Sequence, residues 1–317
     1  MRERPRYVPP VVTRSRLVLE MAYELVGERN WDARQARIML RVQGSKNPWT
    51  VTLDGSDTPS SIDLVARGEA QIAIINPANP LGVALRGNGP FREPIPVRVI
   101  TVIPSLDQLA FAVHERTGIR SLAELRQRKY PLKISMRSQA EHSTYFIAGE
   151  ALNALGFSLA DIVSWGGSMH YHPYPPDVDA VVRGDVDAIF DEAVDEWADR
   201  AIEAGMRFLS LDEAHLQQME AMGFRRARIK KSVHPGLSRD VDTLDFSGWP
   251  IFTHANAPDD LVRACCAALE ASKERIPWQG VGPLPLERMC LDTEDAPLTA
   301  PLHPAAERFW RERGYIT

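Results

Sequence analysis

Two histidines and two tyrosines alternate along Ser168–Asp177, SMHYHPYPPD, with three prolines among them. Imidazole titrates near neutrality, so it can act as acid, base or metal ligand, and a neighbouring carboxylate tunes it. In extended backbone His170 and His172 point the same way and could reach one ligand or one ion. Pro173, Pro175 and Pro176 fix the backbone that follows and remove its N–H donors, which equally suits a stiff wall stacking Tyr171 or Tyr174 on a ring or acyl chain. Metal ligation, proton transfer or hydrogen bonding, and a non-catalytic wall are all open to this stretch. The other groups of the same chemistry are His142 beside Glu141, and Asp191 and Glu192 after the apolar run DAIF. The three cysteines Cys265, Cys266 and Cys290 form neither a CxxC pair nor a zinc-spaced cluster with histidine, so no metal and no cofactor is expected. GxSxG, P-loop and GxGxxG motifs are missing from the sequence.

These groups need elements to position them. In SRLVLEMAYELVG apolar residues recur every three or four positions, which predicts a helix ending near Gly27, and ARIMLRVQG reads as a strand stopping at Gly44. A turn-rich loop, DGSDTPSS, leads to a short helix IDLVARGE and a strand AQIAIINP, the order of parallel α/β units. PVRVITVIP and LAFAVH follow as strands, and Ser121 with Glu124 makes a capping box that starts SLAELRQR as a helix. LKISMRS is the next strand, STYFIAGEALNALG a helix capped by Ser143 or Thr144, and DIVSWGG another strand. The helix, Arg-Gly-acid, strand pattern at Arg67-Gly68-Glu69 recurs at Arg183-Gly184-Asp185, which suggests two lobes built alike.

Length and composition agree: 317 residues, 44% hydrophobic, 25% charged, net charge −5. The basic runs FRRARIKK and RFWRER are short in an acidic chain, so nucleic acid is not an expected partner. No window reaches the roughly 18 apolar residues of a membrane span. The charged opening MRERPRY and unpaired cysteines fit a cytoplasmic setting as written, or a periplasmic one if the true start lies upstream.

The stretches SSIDLVARGEAQIAIINPAN, PLGVALRG, SLAELRQRKYPLKIS and RGDVDAIF resemble the type II periplasmic-binding-protein fold. HPGLSRDVDTLDFSGWPIFTHANAPDDLVRACCAALEAS and the closing PLHPAAERFWRERG look like the TAXI branch of TRAP-transporter solute receptors. The resemblance runs from about Asp54 onward. It departs at the amino end, where family members carry a signal peptide and a Gly-rich strand, at HPG (His234–Gly236) in place of Tyr-Pro-Gly, and at DGSD in place of TGGS. The resemblance implies a two-lobe α/β fold with a central cleft, two hinge crossings and, for an exported form, a membrane transporter as partner. The same fold also hosts cytoplasmic enzymes such as dihydroxyphthalate decarboxylase.

On that fold, lobe one holds residues 1–113 plus 229–317 and lobe two 114–228. Ligands meet such sheets beyond the carboxyl ends of the strands, where helix N-termini offer N–H groups. Five loops qualify: Asp54–Ser61, Asn76–Asn79, Arg137–Thr144, Ser168–Asp177 and Asp191–Glu192. Ser56, Ser60, Ser61, Asn76, Asn79, Arg137, Ser138, Ser143, Thr144, Tyr171 and Asp191 are the expected ligand contacts. Arginine grips carboxylates with two charged hydrogen bonds, so a small organic acid is the expected ligand. The function expected first is binding. The alternative is a decarboxylase or proton-transfer enzyme on the same scaffold, acting on a carboxylated, perhaps aromatic, substrate, with His142, His170, His172 and Glu192 as its acid–base groups. Oligomeric state is not legible in the sequence.

Overall fold

The computed structural model describes residues 16–23, 36–41, 50–56, 58–172 and 175–317. By compactness the chain divides into residues 1–36 and residues 37–317. In the first unit α1 spans 16–23, with Arg16 paired to Glu20 one turn on. The expected ends near Gly27 and Gly44 lie outside the described residues.

In chain order the remaining elements are β1 (Ala36–Arg41), β2 (Thr50–Gly55), α2 (Ser60–Ala66), β3 (Ile72–Ile74), α3 (Asn79–Arg86), β4 (Val97–Ile103), β5 (Gln108–His114), α4 (Leu122–Arg128), β6 (Lys133–Arg137), α5 (Ser143–Ala154), α6 (Leu159–Ser164) and β7 (Ser168–His172). There follow α7 (Val178–Arg183), β8 (Ala188–Asp191), α8 (Val194–Glu203), β9 (Met206–Phe208), α9 (Glu213–Met222), β10 (Arg226–Ile229), β11 (Val241–Asp245), β12 (Trp249–His254), α10 (Asp259–Ser272) and α11 (Pro304–Glu312). One sheet has the order β1-β2-β3-β12-β4; the other runs β10-β11-β5-β8-β6-β7, with β9 also paired to β5.

This is the two-lobe α/β architecture of type II binding-protein folds, and the strand orders say why. The chain leaves the first sheet after β4, builds the second, and returns between β11 and β12. The crossings are therefore Pro104–Asp107 and Phe246–Gly248, and they are laced together. Asp107 N donates to Ser247 Oγ at 3.0 Å, Phe246 N to Asp107 O at 3.0 Å, and Gly248 N to Ser105 O at 2.8 Å. Sheet membership assigns β5, β10 and β11 to the second sheet, whereas the sequence boundaries at 113/114 and 228/229 fall within β5 and within β10. The apolar run of β5 reads the same in either sheet, so periodicity could not place it.

The echoed Arg-Gly-acid motif is a helix stop. Gly68 and Gly184 adopt φ of 72° and 82°, left-handed values that suit glycine, and the flanking residues clamp across each. Arg67 Nε reaches Glu69 at 2.6 Å and Arg183 Nε reaches Asp185 at 2.8 Å. Of the capping box expected at Ser121 half forms: Ser121 Oγ accepts from Glu124 N at 3.1 Å, but the Glu124 carboxylate takes Arg120 N at 2.8 Å in place of Ser121 N. DIVSWGG, read as a strand, is instead the end of α6. Ser158 and Asp161 form a reciprocal capping box there, and the strand starts only past Gly167, whose added Cβ would lie 2.4 Å from Leu132 O. Alternation in DIVSW cannot compete with that start signal once only Ile162 needs burial.

Packing follows the layers. Val262, Cys266 and Trp310 of α10 and α11 cover one face of the first sheet. Val181 and Trp197 of α7 and α8 cover Ala112 and Ile189 of the second. A third cluster runs through both, from Ile62, Leu81 and Val99 to Phe111, Ile134, Ile147 and Phe224. Cys266 and Cys290 are buried and no disulfide forms; burial pushes the Cys290 thiol up to about 12. The arginines of the two basic runs meet acids: Arg226 reaches Glu213 and Glu220, Arg228 Asp242, Arg308 Asp259 and Arg311 Glu307.

Candidate functional site

Parallel strands β8, β6 and β7 lie side by side, and their last residues are Asp191, Arg137 and His172. Arg137 is in register with His172, and Ser135 with Ile189, so residues two further along bring Asp191 level with Arg137. All three side chains are inside: Arg137 is 6% exposed, Asp191 0% and His172 5%. Arg137 Nε donates to both oxygens of Asp191 at 3.0 and 3.3 Å, and Nη2 donates to Glu192 Oε1. His172 Nε2 lies 3.0 Å from Asp191 Oδ2, and its Nδ1 lies 2.6 Å from Ser135 Oγ. A carboxylate paired to arginine only accepts, so in the neutral ring Nε2 carries the proton and Nδ1 accepts from the Ser135 hydroxyl. Sequence order placed SMHYH on a cleft loop; it is the edge strand β7, paired in parallel with all five residues of β6. The alternation that aims His170 and His172 to one side is strand alternation.

The α5 amino end faces this cluster. His142 is its N-cap, where Ser143 or Thr144 was expected: its Nδ1 accepts from Thr144 N at 3.2 Å. Imidazole here does the work of a Ser or Asp cap, a role that its residue type does not advertise. The His142 ring stacks on Phe246 of the return crossing, centroids 6.1 Å apart and planes 9° apart. Thr144 Oγ1 is 3.5 Å from Asp191 Oδ1, and Ser143 Oγ donates to Asn76 O at 2.6 Å. One turn of helix thus touches the acids of the second sheet and a strand end of the first. Tyr145 OH donates to Arg137 O at 2.5 Å, and burial raises its phenol.

The remaining expected contacts are spread out. Asp54 takes Arg37 Nε and Ser61 Oγ, both at 2.8 Å, Ser61 meets Ser56 at 2.7 Å, and Ser60 meets Thr58 at 2.6 Å. Those hydroxyls hold the loop before α2 together. Asn79 ties α3 to the end of β11 and to the residue before β10: Nδ2 donates to Asp245 O at 2.5 Å and Oδ1 accepts from Arg225 N at 2.8 Å. Ser138 and Tyr171 are exposed, Tyr171 on the side of β7 away from the histidines. His170 Nε2 pairs with Ser168 Oγ at 2.9 Å. Pro173 and Tyr174 lie outside the described residues. Among the described residues no group of three or more His, Cys, Asp or Glu could hold a metal ion.

Three participants were not anticipated. Ser135 sits two residues before Arg137 on the same face of β6, a position its alternation in LKISMR could have disclosed. Asp107 ends the first crossing, and Asp245 ends β11 just before the return. Asp107 accepts Ala193 N at 2.7 Å, Gln108 N at 2.7 Å and Val194 N at 3.3 Å, capping α8 from another element. Ala193 is the N-cap position of α8, has φ of 54° and provides no side-chain cap of its own. Burial raises the Asp107 carboxyl to about 7, with the Asp191 charge adding to it, and raises Asp245 to about 6.

No curated protein sequence matches the chain. Among solved structures it is similar to the alkanesulfonate-binding protein SsuA from Xanthomonas axonopodis pv. citri bound to MOPS, at 14% identity over 68% of this chain and 60% of that one, TM-score 0.33. It is also similar to the aliphatic sulphonate binding protein SsuA from Escherichia coli, 15% over 80% and 64%, TM-score 0.33. ProX, a glycine/betaine/L-proline-binding protein from Borrelia burgdorferi, aligns at 14% over 66% of each chain, TM-score 0.36. The chain spans less than two thirds of the length of each of these three. A family model matches residues 48–314, and on that match the chain belongs to the NMT1-like family.

Proposed function

We propose that this chain binds a small carboxylate-bearing organic molecule where the first turn of α5 meets the strand ends of both sheets, as TAXI-type solute receptors would. The observation that carries this reading is the convergence of Arg137, the Ser143 and Thr144 hydroxyls and the α5 amino end beside Asn76. Helix amides and a guanidinium favour the same anionic group. Arg137 already holds two acids, so an incoming carboxylate takes the place of Glu192, the partner from the more exposed side, while Asp191 keeps Nε. In this reading an exported form hands its ligand to a membrane transporter.

A second reading is favoured by the hydrogen-bonded line Ser135–His172–Asp191. A histidine held on both nitrogens is placed to move a proton, which suits an enzyme of decarboxylase or proton-transfer type.

Calorimetric titration of the folded chain with mono- and dicarboxylates tests the binding reading. Glu192→Gln removes the competing charge and should tighten carboxylate binding about tenfold, and Thr144→Val should weaken it. If no carboxylate binds at millimolar concentration, or Glu192→Gln weakens binding, the reading is wrong.

A further inference from the structure

The two histidines of β7 also line a groove that lies beside α7. This groove, of about 660 Å³, runs along the edge of the second sheet, lined by Lys133, Ser135, His170 and His172 from β6 and β7 and by Ala180 and Arg183 from α7. Ser135 and His172 reach the groove from within the sheet, being 3% and 5% exposed. Ser135 is in register with His170, so on this face Ser135 has His170 beside it, Lys133 two residues before it and His172 diagonally ahead.

We propose that Ser135, His172 and Asp191 form an acyl-transfer site that opens into this groove and hydrolyses small carboxylic esters. Three adjacent strands supply a nucleophile, a base and an orienting carboxylate in one line, at 2.6 Å from Ser135 Oγ to His172 Nδ1 and 3.0 Å from Nε2 to Asp191. Nucleophile, base and orienter are recognised by such geometry and not by chain order. Asp191 is itself anchored by Arg137 and by Glu192 N at 2.9 Å, so it holds the imidazole without following it.

In the first half-reaction Ser135 Oγ bonds to the ester carbonyl carbon, its proton passes to His172 Nδ1, and the carbonyl electron pair moves onto oxygen. Lys133 and His170, flanking Ser135, are the side chains that can donate to that oxyanion. Collapse breaks the carbon–oxygen bond to the alkoxide, which takes the proton from Nδ1 and leaves as the alcohol. Water then attacks the acyl-serine, giving its proton to Nδ1; the second collapse returns that proton to Ser135 Oγ and releases the carboxylic acid. The sum is ester plus water to acid plus alcohol, with no oxidant or metal required.

A groove of this volume takes a short acyl chain with a modest leaving group. Arg183 pairs with Asp177 and Asp185, while Lys133 Nζ lies 3.3 Å from the Gly184 carbonyl, a neutral acceptor that leaves its positive charge to meet the oxyanion.

The test uses the full chain, a fluorophosphonate probe and p-nitrophenyl acetate. Attack on the probe displaces fluoride and leaves a phosphonylated serine, located by peptide mass spectrometry. The expected result is label on Ser135, ester turnover above that of denatured protein, and at least a hundredfold loss of both in Ser135→Ala and in His172→Gln, with circular dichroism showing that both variants fold. Should Ser135→Ala not fold, the label site in the native chain decides alone. Folded native chain with no label on Ser135, or folded Ser135→Ala that turns over ester at the native rate, overturns the proposal.

Discussion

Replacing Arg137 by methionine keeps the length of the side chain and deletes its charge. The guanidinium sits between Asp191, wholly buried, and Glu192, 8% exposed, and it is itself 6% exposed. Removing one partner of a buried ion pair strands the other charge away from water, at a cost of about 3–5 kcal/mol. Some of the loss is refunded by water entering around Glu192, so the lower half of that range is the working figure. At about 2–4 °C per kcal/mol, the figure for domains of about 150–250 residues, the melting temperature falls by about 6–16 °C. Urea titration followed by circular dichroism gives the free energy, and an unchanged m-value shows that the two-state comparison is sound. Two controls tie the loss to stranded charge. Adding Asp191→Asn and Glu192→Gln to Arg137→Met should restore more than half of it, because a buried charged set replaced as a whole costs little. The deficit should also be smaller at pH 5 than at pH 8, since protonation neutralises acids that have lost their partner. A loss under about 1 kcal/mol, or one that carboxylate neutralisation leaves unchanged, would refute the reasoning.

Asp107→Asn should flatten the dependence of stability on pH. The native carboxyl, raised to about 7 from an ordinary 3.8, keeps its proton where the unfolded chain has released it. Native stability therefore falls as pH rises from about 4 to about 7 and levels off above, by up to about 4 kcal/mol; Asp245, raised to about 6, adds a slope that Asp107→Asn leaves in place. Denaturant midpoints at pH 5, 6, 7 and 8 check this, and a slope that is as steep in the variant contradicts it. Gly82→Ala should destabilise by about 1–3 kcal/mol, because its Cβ would stand 2.4 Å from Gly223 O where α3 crosses the end of α9. A melting temperature equal to the native one would mean that this approach is looser than described.

Much of the scaffold was legible because local signals agreed with the global fold. The Arg-Gly-acid stops, the Ser121 N-cap and the apolar runs of β4 to β6 each carried a mechanism, and the resemblance to two-lobe binding proteins assembled them in order. DIVSWGG failed because a cap three residues earlier outranked a short alternating run. SMHYH failed in the other direction, since polar residues at a sheet edge look like a loop until β6 is laid beside them. The buried cluster at the strand ends was half legible. Arg137, His172, Asp191 and Glu192 were named from strand ends, yet their mutual pairing depends on three strands that are distant in sequence. Ser56, Ser61 and Asn79 were chosen for the same chemistry and are spent on holding loops and crossings. Ser135 and Asp107 escaped because a lone serine in a strand and a lone acid before one look ordinary until burial and partners are known.

The proposed ligand is a carboxylate held between Arg137 and the first turn of α5. A crystal structure of protein purified without added ligand and soaked with the tightest carboxylate from the titration tests it most directly. The account predicts ligand density with a carboxylate on Arg137 Nη2 and on Ser143 or Thr144, and Glu192 swung away. Density elsewhere, or an Arg137–Glu192 pair unchanged beneath a bound ligand, would contradict it.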